Sequence, residues 1–551
     1  MVRGSTGSPC LENVRGFLIF VLLNMKKFYF VATAALVLFA GRLEAQRGKA
    51  SAPDNWFNLD YKLDKVPGVS AEKAYKELLQ GKSATTVVVA VIDGGTEPDH
   101  EDLKDVIWVN EDEIADNGID DDNNGYIDDV HGWNFIGNKD GRNVGPDNLE
   151  VTRFYGAYRA MFEGKEEADV PAQQKELYLK WRKAFIEMSA SREQYKPLEE
   201  GMNEINKFFA DVEAQAAGSP VTAETVKAVE AKGMAGFMQS ALAKAIEGGK
   251  SYDTLKASMV GRFDEIMKPV KFHYNPDLNT REIVGDNYED GNERNYGNND
   301  VEGPDGGHGT HVGGIIGAAR NNGVGMNGVA DKVKLMVVRV VPDGDERDKD
   351  VANGIRYAVD NGAKVINMSF GKGWSYNKKL VDDAIRYAES KDVLLVHAAG
   401  NDAECNDTVP NYPNTKLTDG GRPSNWIEVG ASSWNDKNVV ASFSNFGKEQ
   451  VDVFAPGVDI YSTIPGSAYA SFDGTSMASP VTAGVAALVR SYYPGLTAPQ
   501  VKSCIMQGAS PWKAKVLNPT TKKKTKLKDL CVSGGVVNAY NALQIAAGMG
   551  K

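Results

Sequence analysis

Residues 472–489 read Phe472-Asp473-Gly474-Thr475-Ser476-Met477-Ala478-Ser479-Pro480, then Val481-Thr482-Ala483-Gly484-Val485-Ala486-Ala487-Leu488-Val489. A stretch that is apolar on every face and built from small residues reads as a helix enclosed by the rest of a fold. It opens on a glycine turn that carries a serine. A free hydroxyl is a poor nucleophile, and becomes useful where it is held rigidly, meets a base and has N–H groups beside it to receive an oxyanion. A helix N-terminus supplies such N–H groups. The segment predicts a buried helix with a reactive serine at its mouth.

Short β-branched runs alternate with helical patterns through much of the chain. The strands are expected over 86–93, 334–341, 364–368, 393–398, 427–431 and 451–454, and helices over 348–360, 378–389 and 476–492. Near-continuous apolar strands alternating with helices predict an α/β fold, doubly wound around a mostly parallel sheet. Functional groups then collect at the carboxyl ends of the strands. Asp93 and Asn401 fall at such ends.

Other segments supply partners for Ser476. One is Gly307-His308-Gly309-Thr310-His311-Val312-Gly313-Gly314. A second is the run Thr86 to Ile92 that ends in Asp93-Gly94-Gly95, and a third is Val393 to Ala399 ending in Gly400-Asn401. Together with Gly474-Thr475-Ser476-Met477-Ala478-Ser479-Pro480 these resemble the motifs of the subtilisin-like serine peptidases, the subtilases, in the order Asp, His, Ser. The resemblance covers about 93–103 and 303–543. Gly313 stands where alanine is more usual in the family, and Gly94 where many members have Ser or Thr.

The resemblance implies a serine endopeptidase working through an acyl-enzyme on polypeptide substrates. Ser476 would be the nucleophile, His308 its base, Asp93 the group that orients the imidazole, and Asn401 an oxyanion donor. Ser369-Phe370-Gly371 would pair with an extended peptide, and Gly400 would form the other wall of the primary pocket, with Asp402 near its rim. Among the six histidines, His308 alone fits the base position. His311 could form a metal pair with it on one helix face, and His397 reads as a core histidine. Two other outcomes remain open: transpeptidation on the same triad, and a non-catalytic, calcium-stabilised binding protein.

The stretch 116–129 is crowded with carboxylates. Asp120, Asp122, Asn124 and Asp128 fall at positions 1, 3, 5 and 9 of a calcium loop, with Gly125 at 6 and the Tyr126 carbonyl available at 7. His131 stands where the bidentate glutamate belongs, so Asp129 or an outlying acid such as Glu111 or Asp112 has to substitute. A structural Ca²⁺ is expected here, and no organic cofactor.

The charge of −12 gives no support to nucleic-acid binding. Lys26-Lys27, the apolar run 28–40 and Leu43-Glu44-Ala45 read as a signal peptide within a leader over 1–45, with Met25 as the true start. A secreted, periplasmic or cell-envelope protein is expected, with no stable membrane span after signal removal and an oligomeric state that the sequence leaves undetermined. The alternative is a membrane anchor joining 17–23 to that run. Cys10 would leave with the leader, and Cys504 and Cys531 form a disulfide or stay, with Cys405, as thiols. The lysine-rich run 522–526 reads as a solvated hairpin tip.

The short segment 46–83 carries one expected helix over 69–79, with Ser70 as N-cap. The catalytic domain is expected over 84–150 and 271–551, with a large helical insertion over 151–270 between the Asp and His motifs. Leu177, Trp181, Ala184, Phe185 and Met188 recur at helical spacing there, as do Ile205, Phe208, Phe209 and Val212, and a further helix is expected over 223–246. The insertion is expected to screen the cleft, to assist folding, or to add buried surface only.

Overall fold

The computed structural model describes residues 52–549, so the expected leader and start site lie outside the described residues. The strands, in chain order, are β1 (Val87–Asp93), β2 (Gly132–Asn134), β3 (Val333–Arg339), β4 (Val365–Met368), β5 (Leu394–Ala398), β6 (Trp426–Ser432) and β7 (Val453–Pro456). They continue with β8 (Ile460–Ile464), β9 (Ala468–Phe472), β10 (Ser510–Pro511), β11 (Val516–Leu517), β12 (Lys524–Thr525) and β13 (Gly535–Val536). Nine of them form a sheet in the order β10-β13-β7-β6-β5-β4-β1-β3-β2. Neighbours run parallel except at the β10–β13 edge.

The strands are mostly apolar because both faces of the sheet are covered. Val87, Val89 and Val91 of β1 join one core, which includes the helices Gly307–Gly317, Thr475–Tyr492, Ala498–Gly508 and Ala539–Met549. Ala90 and Ile92 join the other, under the helices Asp348–Asp360 and Lys378–Ser390. The chain leaves β1 toward β3 on one side and later returns to β4 on the other. The carboxyl ends of β1 and β4 therefore flank a topological switch point, where open α/β sheets place their crevice.

The N-terminal segment is part of the first core, with Trp56 and Phe57 fully buried in it. Its expected helix forms as an α-turn, Ala71–Ala74, that widens into a π-turn, Tyr75–Leu79. Ser70 precedes it but does not cap it. Its backbone is left-handed and its hydroxyl donates instead to Asp60 across 2.9 Å. Cys504 and Cys531 are free thiols in separate cores, so the disulfide does not form, and Cys405 is free too. The lysine-rich run closes the β11–β12 hairpin, with Lys522 and Lys523 exposed in its turn.

The chain divides into two compact units. One contains the described residues 190–257. Its helices Lys196–Ala216, Ala223–Ala228 and Gly233–Glu247 enclose Ile205, Phe208, Phe209, Val212, Val226 and Leu242. The single helix expected over 223–246 is two, because the chain turns extended at Val229 and restarts at Gly233, whose φ of 54° is left-handed.

The other unit holds the sheet and, with it, the helix Glu150–Phe162 and most of Lys175–Glu193. Phe154, Phe162 and Trp181 pack there with Trp374, five residues after Ser369. Trp181, Ala184 and Met188 are buried as their spacing implies, while Phe185 stays 40% exposed and stacks on Trp181. No helix among the described residues is long and apolar enough to cross a membrane.

Candidate active site

Asp93 ends β1, and its Oδ1 lies 2.7 Å from Nδ1 of His308 in the first turn of the helix Gly307–Gly317. This approach requires glycine beside the histidine. A β-carbon on Gly309 would stand 2.1 Å from the Gly95 carbonyl oxygen. Oδ1 of Asp93 also accepts the Gly94 N–H at 2.8 Å, while Oδ2 is buried without a partner. Burial disfavours a charged imidazole, but the Asp93 carboxylate outweighs it and holds His308 above its ordinary pKa. The His308 side chain is 41% exposed.

Ser476 is the second residue of the helix Thr475–Tyr492. Pro480, four residues on, has no N–H to give the Ser476 carbonyl. That carbonyl takes a hydrogen bond from the Ser369 hydroxyl at 2.8 Å instead. Ser369 in turn accepts from Asn367 Nδ2 at 3.0 Å, and Asn367 Oδ1 accepts from Ser479 at 2.8 Å. The Ser476 hydroxyl donates to the Ser369 carbonyl at 3.1 Å.

Asn401 lies three residues beyond β5. Its Oδ1 accepts both the backbone N–H and the hydroxyl of Thr475, each at 2.9 Å. Because a backbone N–H can only donate, this fixes which edge of the amide is oxygen and leaves Nδ2 as a donor. The Thr475 hydroxyl accepts the Gly400 N–H at 3.1 Å, tying the loop after β5 to the helix Thr475–Tyr492.

One cleft of about 680 Å³ is lined by Asp93, His308, Ser476, Asn401, Ser369, Phe370, Gly371 and Gly400. The positions assigned from sequence as catalytic and substrate-binding thus come together. Thr475, Asn411 and Glu346 line the same cleft and were not singled out from the sequence. Asn411 donates to the carbonyls of Ala398 and Ala399. Its side chain is so close to Gly371 that a β-carbon there would meet Asn411 Oδ1 at 2.6 Å. His311 is not half of a metal pair: it stacks on Phe472 at 4.2 Å with Nε2 at the Ala470 carbonyl, and burial pushes it down to about 3. His397 is a core histidine against Glu428.

In the acidic loop, oxygens of Glu113, Asp120 and Asp122 lie within 4.8 Å of one another. The acid that completes the cluster is Glu113, rather than Asp129, Glu111 or Asp112. Its Oε2 accepts the Asp128 N–H at 3.0 Å, which folds it into the loop. Asp128 turns its carboxylate to the N–H groups of Asn117 and Gly118, Asn124 Oδ1 takes the Tyr126 N–H, and Asp129 pairs with Tyr357. His131 faces the Trp108 carbonyl. An all-oxygen donor set of three converging carboxylates suits a hard divalent cation such as Ca²⁺.

A doubly wound sheet with this cleft at its switch point carries the parts of a serine peptidase. A model of the subtilase family matches residues 84–539, and the chain belongs to that family. Thermitase of Thermoactinomyces vulgaris is 41% identical over 239 residues, which are 43% of this chain and 75% of that one. A thermophilic serine proteinase of a Bacillus species is 40% identical over 218 residues, covering 39% of this chain and 49% of its own. Subtilisin E of Bacillus subtilis is 41% identical over 203 residues, covering 35% and 48%. The chain thus spans three-quarters of thermitase and about half the length of the other two. Among solved structures, the prenylagaramide maturation protease shares 29% identity at a TM-score of 0.36, over 44% of this chain and 82% of that one.

Proposed function

We propose that this subtilisin-like peptidase hydrolyses polypeptides through an acyl-enzyme on Ser476. The observation that carries the reading is the 2.7 Å contact between Asp93 and His308, with Ser476 and Asn401 lining the same cleft. Rotation about the Ser476 Cα–Cβ bond moves the hydroxyl from the Ser369 carbonyl toward His308. The imidazole takes its proton as Oγ attacks the substrate carbonyl, and later gives it to the leaving amine. Asp93 stabilises the imidazolium that forms between these steps. The oxyanion is received by Asn401 Nδ2 and the Ser476 backbone N–H, at the positive end of the nucleophile helix. The substrate adds a strand along Ser369-Phe370-Gly371, with Gly400 as the other wall of the primary pocket.

Glu113, Asp120 and Asp122 would hold the calcium ion, which neutralises their mutual repulsion and braces the loop. Carbonyl and amide oxygens at Asn124 and Tyr126 and the Asp128 carboxylate remain within the same loop. Export rests on the basic and apolar composition of residues 26–45. The deciding experiment is labelling by a fluorophosphonate together with peptide hydrolysis. Wild type is labelled and active, and Ser476→Ala loses both while remaining folded. Asn401→Ala is labelled slowly and loses about a hundred- to thousand-fold in kcat. Full peptidase activity in Ser476→Ala would remove the assignment.

A further inference from the structure

The loop 341–347, between β3 and the helix Asp348–Asp360, contributes Asp343 and Glu346 to the cleft. Five carboxylates and two cations line that cleft. Neither cation is available to a substrate. Arg339 is committed to the Gly94 carbonyl at 2.8 Å, Asn134 Oδ1 at 3.1 Å and the Val144 carbonyl at 2.6 Å. Lys268 is bonded to Asp343 at 3.1 Å and Glu265 at 2.9 Å. With Asp93 facing His308 and Asp343 facing Lys268, the cleft acids left without an ion pair are Asp305, Glu346 and Asp402.

Glu346, like Asp93, has a buried oxygen without a partner, but no imidazole is bonded to it as one is to Asp93. It is 2% exposed, and its Oε1 has no hydrogen-bond partner. The nearby ammonium of Lys372 does not serve it: that group bonds Asp348 at 2.8 Å and gives a hydrogen bond to the backbone carbonyl of Glu346 at 2.6 Å. Arg153 likewise bonds that backbone carbonyl, at 3.1 Å. Burial, with Asp345 and Asp348 nearby, pushes the Glu346 carboxyl up to about 8 despite Lys372. Lys372 is also the residue after Gly371, and its backbone exchanges two hydrogen bonds with Tyr412. The unsatisfied acid is therefore fixed to the end of the edge on which an extended substrate would lie.

We propose that Glu346 is a specificity-determining residue that pairs with an arginine or lysine side chain of the substrate, so that the enzyme selects basic segments of polypeptides. This rests on the peptidase reading given above. A guanidinium or ammonium supplies both things the carboxyl lacks, an N–H donor for Oε1 and a positive charge. A neutral side chain of similar length can give an N–H to Oε1 but brings no positive charge, and an acidic one adds repulsion. Arginine presents several donors in a fixed fork and is preferred over lysine.

The test uses the purified full chain and quenched-fluorescent peptides. Each position flanking the scissile bond is varied in turn among arginine, lysine, citrulline, glutamine and glutamate. At one position, kcat/KM for arginine exceeds that for citrulline, its neutral isostere, by about tenfold or more. In Glu346→Gln that ratio falls to near one, while Asp383→Asn, an exposed acid on the helix Lys378–Ser390 outside the cleft, keeps it. Should Glu346→Gln fail to fold, the wild-type arginine-to-citrulline ratio decides alone, and a ratio near one at every position overturns the inference. A persistent ratio in folded Glu346→Gln overturns it too. Fluorophosphonate labelling separates the two levels: a labelled, peptide-cleaving enzyme without cation preference sinks this inference only, and an unlabelled, inactive protein sinks the peptidase reading with it.

Discussion

The Ser369 hydroxyl donates to the Ser476 carbonyl at 2.8 Å, and the Ser476 hydroxyl donates back to the Ser369 carbonyl at 3.1 Å. The first of these bonds fills the acceptor that Pro480 leaves open in the first turn of the nucleophile helix. On the proposed mechanism it also joins the substrate edge to the nucleophile, so that the reacting hydroxyl and the peptide it attacks share one reference point. Ser369→Ala leaves a carbonyl unpaired in a site where Ser369 itself is 4% exposed. The expected result is a loss of about 1–3 kcal/mol of stability and a fall in kcat of about tenfold with little change in KM. Unchanged kcat in this variant would show that the bond is incidental to catalysis.

The raised pKa of His308 sets the acid limb of activity. The base must be neutral to accept the Ser476 proton, so kcat/KM rises with pH through a value above the ordinary histidine value of 6.5. Asp93→Asn removes the carboxylate that raises it. The limb then moves to lower pH and kcat falls by about ten-thousand-fold. Stability runs the other way. The Asp93–imidazolium attraction is fully present below the unfolded-state value and is lost as pH rises through the folded one. Thermal unfolding across that window, in wild type and Asp93→Asn, checks the sign.

Calcium is expected to stabilise the fold by mass action, by about 2.7 kcal/mol when free ion exceeds its Kd a hundredfold. A chelator lowers the melting temperature of wild type. Asp120→Asn with Asp122→Asn abolishes that sensitivity, and so does Glu113→Gln, which keeps an oxygen for the loop N–H groups but removes the charge. A melting temperature indifferent to chelator, in protein shown to be metal-free, would leave the loop as a hydrogen-bonded acidic turn.

Much of this was legible in the chain. The strand expected over 86–93 forms as Val87–Asp93, and the helix expected over 348–360 is Asp348–Asp360. Burial on both faces writes itself into a sequence as continuous β-branched runs. The eight cleft residues were readable because each sits in a short local motif, Asp93-Gly94-Gly95, Gly307-His308-Gly309, Ser369-Phe370-Gly371, Gly400-Asn401 or Gly474-Thr475-Ser476. What was not readable depends on segments far apart in sequence. Nothing near Glu113 marks it as the partner of Asp120 and Asp122, and Ser70 looks like a cap until Asp60 claims its hydroxyl. Asn411 meets Gly371 only because the two loops pair through Lys372 and Tyr412, forty residues apart in sequence.

Gly313 offers a stabilising substitution. A β-carbon there would meet Leu335 Cδ1 at 3.5 Å, Thr96 Cγ2 at 3.8 Å and Leu103 Cδ1 at 3.9 Å, all ordinary contacts. Its helix gains from alanine, so Gly313→Ala should add about 1 kcal/mol. Gly314→Ala, one residue on, forces a β-carbon to 2.3 Å from Thr463 Oγ1 in β8 and should destabilise. Urea midpoints of the pair decide it, and destabilisation by Gly313→Ala would contradict the packing.

The unit at 190–257 has its own core of Ile205, Phe208, Phe209 and Val212, while the cleft residues all belong to the other unit. Replacing the chain between Glu193 and Tyr252 with a Gly/Ser linker should therefore leave a folded catalytic unit. The two helices that bound the deletion, Lys175–Glu193 and Tyr252–Lys268, remain. Trp181 and Met188 stay buried in the first, and Met267 in the second. Turnover of a short peptide ester is expected to stay within about twofold of wild type, since an ester reads the chemical step and little else. A folded protein substrate assayed beside it separates the roles of the insertion. A rise in its cleavage relative to the ester assigns the insertion to screening, and an unchanged ratio assigns it to added structure. A variant that folds yet loses the ester reaction would show that the catalytic groups depend on the insertion, against the division of the chain into two compact units.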